Sequence, residues 1–335
     1  MINYKILYLL LFVSSFIFSL LLTAILRKIS LKFNIFTDKE KVPHVGGVGF
    51  ALPFIICYLF LHDITGMVLP FYIVWVIIFS LILLGIEFID DLREYPLRVK
   101  VAVQVIFVFL FLLYSKKVQI YFLPFWVNYF ISFLWIMGIL NAFNHLDVAD
   151  GSCGGISLII SVTFFIIFAK IESSLALVFI ALSGALFAFT LFNHPPAKIF
   201  MGNAGSHFLG FLFAAIAMEG DYATLDNVSA LFLPILVLAL PVIDTIYLII
   251  VRSRKNILPL RKSNDHIVLR YLSKGHSHQK TLLGIYAITG FWCLSGLLIL
   301  NGISATFFIS LATAIVGTTF MIINANISET SSDQS

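Results

Sequence analysis

The sequence predicts an all-α integral membrane protein: a polytopic bundle of about eleven (10–11) transmembrane helices, with its chemically capable loops on the cytoplasmic face. Three observations predict it. Hydrophobic residues make up 60% of the 335 residues and charged residues only 11%, against about 25% charged in a soluble domain. Apolar runs recur along the chain, each near the roughly 20 residues needed to cross the hydrocarbon layer. The basic residues gather in alternate breaks between those runs. No separate soluble domain is visible, so residues 1–335 read as one polytopic domain.

The expected spans are 6–26, 48–61, 67–88, 99–114, 128–144, 154–169, 174–192, 206–218, 228–250, 281–300 and 303–323, the second and eighth being short. The first run, Ile6 to Ile25, has its basic flank, Arg27 and Lys28, after it. A signal peptide carries that flank before its apolar run. The run therefore reads as a retained helix with an external N-terminus. Cys57, Cys153 and Cys293 are scattered, which indicates neither a disulfide framework nor a thiolate metal site. A net charge of +4 gives no ground for a nucleic-acid partner.

Most of the 21 basic residues fall in one set of breaks: Arg27 to Lys41, Arg93 to Lys100, Lys198, and Arg252 to Lys280. The opposite set holds only Lys5, Lys116, Lys117 and Lys170. The positive-inside rule makes the first set cytoplasmic. Asp90, Asp91, Asn141, Asn144, Asp147, Asp150, Asn203 and Asp265 fall on that same side, which the rule does not require. Carboxylates, amides and cations on one face suit an anionic, metal-bound, cytosolic substrate.

Four segments and one intramembrane acid carry that chemistry. Asp90 and Asp91 meet the cytoplasm at the end of the third span. Adjacent carboxylates there are costly to desolvate and favour a cation, a basic partner or a proton; the plainer alternative is a solvated helix end. Asn141, Asn144, Asp147 and Asp150 recur every three residues. Continued as helix, they would share one face, with oxygen ligands suited to Mg²⁺. Gly151, Gly154 and Gly155 then allow a tight turn. Gly202, Gly205 and Ser206 open the eighth span, where backbone N–H groups can form a phosphate-binding nest or merely cap a helix. The loop from Arg252 to Lys280, with Arg254, Arg261, His266, His276 and His278, could grip diphosphate oxygens or be only a solvated inside-positive loop. Asp244 lies within the ninth span, a functional candidate by its depth or a packing partner for a loop arginine.

In order, these segments resemble the polyprenyl-phosphate N-acetylhexosamine-1-phosphate transferase family from about Pro43 to His278. Pro43-His44-Val45-Gly46-Gly47 resembles its early Pro-x-x-Gly-Gly loop, and Asp90-Asp91-Leu92 its aspartate pair. Asn141 to Gly151 resembles its N-x-x-N-x-x-D-G-x-D-G segment. Asn193, Pro196-Ala197 and Phe200 to Ser206 resemble its Phe-Met-Gly-Asp-x-Gly-Ser region, and Pro241, Asp244, Arg252 and Arg254 its Pro-x-x-Asp and basic pair. The chain departs in three places: Val148 for glycine, Asn203 for aspartate, and His266-Ile267-Val268-Leu269 for His-x-His-His. The last departure argues against the peptidoglycan branch.

The resemblance implies a multi-pass protein of the bacterial cytoplasmic (inner) membrane, with its active site facing the cytoplasm. It implies transfer of an N-acetylhexosamine-1-phosphate from a UDP-sugar to undecaprenyl phosphate, releasing UMP and starting a cell-envelope glycan of O-antigen, common-antigen or teichoic-acid type. It assigns Asp90, Asp91, Asp147 and Asp150 to catalysis. Asn141, Gly202, Gly205, Ser206, Asp244, Arg252, Arg254, Arg261 and His266 go to substrate. Asn144 and Asn203 go to Mg²⁺, with Mn²⁺ as a substitute. Asparagine keeps an oxygen but loses the charge, so metal affinity should fall unless Asp147 or Asp150 compensates. The lipid phosphate has a second pKa of about 6, so Asp90 and Asp91 are better suited to orienting it or organising the metal than to deprotonating it. A homodimer is compatible with this reading. Its rivals are a transporter or flippase for a lipid-linked precursor, and a catalytically impaired family member.

Overall fold

The computed structural model describes residues 4–35, 37, 42–65, 69–115, 117–118, 120, 123–171, 174–222, 226–255 and 265–326. Among them the secondary structure is helical, apart from one isolated bridge between Thr37 and Pro43. The chain forms two compact units, Met1–Asp221 and Tyr222–Ser335, a division that composition does not mark.

The first unit holds α1 (Tyr4–Phe33), α2 (Gly46–Thr65), α3 (Phe71–Arg93), α4 (Leu97–Tyr114), α5 (Phe125–Leu146), α6 (Ser152–Lys170), α7 (Leu175–Asn193) and α8 (Gly202–Glu219). Pro70, Pro96 and Pro124 stand directly before α3, α4 and α5. Proline fits a helix start because its missing N–H would find no intrahelical acceptor there. α8 is the hub, packing on α2, α3 and α5. Nearly all its side chains are buried, including Phe208, Phe211 and Phe213. Its crossing with α2 is a backbone contact: a Cβ on Gly205 would lie 2.7 Å from Gly47 Cα. Small residues at such a crossing let helices approach within a membrane.

The second unit holds a 3₁₀ turn (Val228–Phe232), α9 (Leu233–Val237), α10 (Ala239–Arg254), α11 (Ile267–Ser273), α12 (His278–Ile299) and α13 (Ala305–Asn326). α12 packs on both α9 and α13.

Each of the eleven expected spans meets a helix. Among the described residues eight helices are long and apolar enough to cross a membrane, or nine if the bent 228–254 pair is one span. Neither α2 nor α8 is among the eight; both expected spans were the short ones. α8 is shielded by protein rather than apolar enough for lipid. The expected ninth span is not one straight helix, because it bends by 63° between α9 and α10. Pro241 explains the break: it cannot donate to the Val237 carbonyl one turn back and its ring crowds that carbonyl. The Cys293 thiol approaches that carbonyl at 3.9 Å instead.

Candidate active site

Four sequence segments meet around the start of α8. The early loop and the 200–202 segment are stitched by backbone bonds: Gly46 N–H donates to Phe200 O and Gly47 N–H to Met201 O, both at 2.9 Å, and Phe200 N–H donates to Pro43 O at 2.8 Å. Gly202 then turns into α8 with φ of +75°, a backbone shape that suits glycine. It must also be glycine for space, since a Cβ there would lie 2.7 Å from an Asp91 carboxylate oxygen.

Asp91 sits at that helix start. Its carboxylate accepts the Asn203 N–H at 2.9 Å and the Ala204 N–H at 3.0 Å. These are orphan donors of the first turn, and the helix dipole favours an anion there. The nest expected to hold a phosphate therefore holds the protein's own carboxylate. Two other phosphate candidates also have structural partners. Gly205 lies in the α2 crossing, and fully buried Ser206 donates to Gly202 O at 3.1 Å.

Asp90 is 2% exposed, so its charge needs partners within the protein. Lys100 Nζ lies 2.6 Å away. The Tyr95 N–H donates to it at 2.8 Å and the Asn203 side-chain amide at 3.0 Å. Asn203 Oδ1 in turn accepts from the Asn144 amide at 3.0 Å, and that same nitrogen donates to Ser206 Oγ at 3.2 Å. Asn144 spends its nitrogen on both bonds, so its oxygen stays uncommitted among the described contacts. Asn203 thus joins α3 to α5 by offering a donor to one and an acceptor to the other. An aspartate there could not donate to Asp90.

The expectation that Asn141, Asn144, Asp147 and Asp150 share one helical face holds only for the first two. α5 ends at Leu146, and Asp147 is its cap with φ −84° and ψ 54°. Gly151 (φ +75°) provides the turn, whereas Gly154 and Gly155 lie inside α6. Asp147 accepts a backbone bond from Gly202, and burial, with Asp91 and Asp150 adding, pushes its carboxyl up to about 7. Asp150 accepts the Ala197 N–H at 2.8 Å, which makes it a clasp for the 194–201 loop. Asn193 clasps the same loop, accepting from Gly151 N–H and donating to Ile199 O. Asn141 donates to Met137 O and to Gln104 Oε1.

In the second unit, buried Arg252 reaches His266 Nε2 at 3.5 Å. His266 Nδ1 lies 3.5 Å from an Asp244 oxygen, and Asp244 also accepts the Ile267 N–H at 3.4 Å. Asp265 receives both Lys255 and Arg270 at 2.9 Å. Arg254 is exposed at the end of α10. Arg261 lies outside the described residues.

Sequence reasoning missed Glu87, Gln104 and His207, and counted Lys100 only as topology. Glu87 and His207 carried a readable signal: each is one turn from a candidate acid or amide, and an ionisable residue inside an apolar span is expensive.

The description "Glycosyl transferase family 4" matches residues 72–221. A protein of Bacillus subtilis (strain 168), "Probable undecaprenyl-phosphate N-acetylglucosaminyl 1-phosphate transferase", is 31% identical over 261 residues, covering 74% of this chain and 70% of its own. The chain belongs to glycosyl transferase family 4. Family 4 membership confirms the resemblance to the polyprenyl-phosphate sugar-1-phosphate transferases. A "Phospho-N-acetylmuramoyl-pentapeptide-transferase" of Streptococcus pneumoniae serotype 19F (strain G54) is 30% identical over 205 residues, 54% of this chain and 60% of that one. A "Decaprenyl-phosphate N-acetylglucosaminephosphotransferase" of Mycolicibacterium smegmatis (strain ATCC 700084 / mc(2)155) is 30% identical over 174 residues, 46% and 43% of the two chains. The family 4 match falls on the unit that holds Asp90, Asp91, Asn144 and Asn203.

Proposed function

We propose that this family 4 protein transfers an N-acetylhexosamine-1-phosphate from a UDP-sugar to undecaprenyl phosphate at the cytoplasmic face of a bacterial inner membrane, starting a cell-envelope glycan. An oxygen of the lipid phosphate attacks the sugar-bearing phosphorus. The bond from that phosphorus to the bridging oxygen breaks, and UMP leaves with that oxygen. The observation that carries the reading is the junction at α8: Asp90, Asp91, Asn144 and Asn203, up to 113 residues apart in sequence, are joined by direct hydrogen bonds.

The donors at this junction are carboxylate and amide oxygens, the chemistry that suits Mg²⁺. Among the described residues no three His, Cys, Asp or Glu side chains form a ready metal site. Mg²⁺ commonly takes one or two protein groups together with substrate phosphates, so a few such oxygens would be enough to hold it. Asn144 and Asn203, with Asp91 or Asp147 beside them, are the residues to hold it. When bound, the ion neutralises charge on the transferring phosphate. The chain's own part is positioning. Asp91 fixes the turn at Gly202, and Lys100 holds Asp90 in place.

The test is one assay. Purified protein, undecaprenyl phosphate, Mg²⁺ and a panel of UDP-sugars should release UMP with at least one N-acetylated sugar. No release with any sugar overturns the reading. That result would favour an impaired family member, the alternative motivated by Asn203 at the centre of the junction.

A further inference from the structure

Beneath the α8 junction lies a second, largely buried polar chain that the proposed chemistry does not use. Glu87 on α3 is 4% exposed, as are Gln104 on α4 and His207 on α8. His207 Nδ1 lies 3.2 Å from a Glu87 oxygen and 3.1 Å from the Asn203 carbonyl oxygen. His207 Nε2 lies 3.1 Å from the Gln104 amide nitrogen. The Gln104 oxygen accepts from the Asn141 amide at 3.3 Å, and Asn141 donates to the Met137 carbonyl at 2.8 Å.

The direction of this chain follows from its far end. A backbone carbonyl only accepts, so the Asn141 nitrogen must face Met137. That same nitrogen then faces the Gln104 oxygen, which turns the Gln104 nitrogen toward His207. Nε2 must accept, so the proton of a neutral imidazole sits on Nδ1. There it is shared between Glu87 and the carbonyl of Asn203. Each amide and ring orientation is thus dictated by its neighbour, and the chain ends on the residue that bridges Asp90 and Asn144.

We propose that His207 is a positioning residue: held by Glu87 and Gln104, it fixes the first turn of α8 so that Asn203 presents its side chain to Asp90 and Asn144. This inference rests on the proposed function, because what it positions is the group expected to meet the metal. In metal sites, losing a partner that orients a ligand costs about 10- to 100-fold in affinity or activity. A merely structural pair behaves differently. Removing one member strands a buried polar group, whereas replacing both by apolar residues can be nearly neutral.

The experiment uses the full chain in lipid nanodiscs. Mn²⁺ binding is read by electron paramagnetic resonance, with thermal stability and UMP release measured in parallel. His207→Leu should weaken Mn²⁺ binding about tenfold or more and lose stability. Glu87→Leu/His207→Leu should recover the stability without recovering the Mn²⁺ affinity. His207→Asn, which keeps a donor near the Nδ1 position, should recover most of the affinity. Wild-type Mn²⁺ affinity in the double variant overturns the proposal, because the pair would then be only structural. The double variant keeps the question answerable if His207→Leu fails to fold. A wild type that neither binds Mn²⁺ nor releases UMP overturns the functional reading, and this inference with it. A wild type that does both, beside unaffected variants, overturns this inference alone.

Discussion

The two units treat buried charge in opposite ways. In the first, Glu87, Asp90, Asp91, Asp147 and Asp150 gather near one helix start, and among the described residues Lys100 is in ion-pair contact with Asp90. Most of the satisfaction there comes from neutral donors: backbone N–H groups, asparagine amides and an imidazole. In the second, Asp244 and Asp265 face Arg252, Lys255, Arg270 and His266. An acid-rich cluster held by neutral groups has room for an added cation. A cluster whose acids meet cations is already closed within itself. Damage to the first unit should therefore appear in turnover and cation response, and damage to the second in stability.

The largest expected effect is at Asp91. Asp91→Asn keeps the size and one acceptor oxygen but removes the charge that faces two N–H groups. The turnover number should fall by about 10²-fold, the cost of misplacing reacting groups by about 1 Å, while UDP-sugar binding changes less. Equal losses in turnover and in binding measured calorimetrically would count against a role confined to the chemical step. The contrasting change is Arg252→Met. Arg252 is 1% exposed and near both Asp244 and Asp265. Losing one partner from a buried ion cluster costs roughly 3–5 kcal/mol, so the midpoint of thermal unfolding should drop clearly. A wild-type midpoint would break the comparison.

A smaller change probes Asn203, a residue that departs from the family pattern inside the site. Asn203→Asp removes the donor to Asp90 and sets a carboxylate beside it. Lys100 still holds that Asp90 oxygen, but losing a hydrogen bond to a charged group costs roughly 1.5–3 kcal/mol and the two carboxylates repel, so the variant should be less stable than wild type without metal. Adding Mg²⁺ should then raise its unfolding midpoint more than it raises that of wild type. If Mg²⁺ shifts both equally, the ion does not sit at residue 203.

Much of the helical order could be read from the chain because lipid imposes a length on each apolar run. α3, α4, α6 and α7 begin and end within a few residues of expectation. Features set by one residue against a distant one were harder to read. The bend at Leu238 depends on a single proline, and α8 looks like a short span until its protein neighbours are known. Asp90, Asp91, Asn144 and Asn203 stood out because polar residues are conspicuous in so apolar a sequence. Their partners did not. Nothing local says that Lys100 turns toward Asp90, or that the Gly202 turn holds Asp91 instead of a ligand. Glu87 and His207 are 120 residues apart and meet only once α3 packs on α8.

The most delicate test concerns Asp147, a carboxyl in the acid-rich unit held protonated up to about 7. In the unfolded chain an aspartate releases its proton near pH 3.9, roughly the model-peptide value. Between these values the folded protein binds a proton that the unfolded chain does not, so stability falls as pH rises. The contribution is complete below the unfolded value and gone above about 7. Wild type should therefore lose more of its unfolding midpoint between about pH 5 and 8 than Asp147→Asn, which cannot titrate there. Mg²⁺ acts against that slope. A cation beside Asp147 favours the ionised form, so wild type should gain most from Mg²⁺ above pH 7 and the variant should show no such pH dependence. Equal slopes in wild type and variant without metal would mean that Asp147 is already ionised and that the first unit has already compensated its acids.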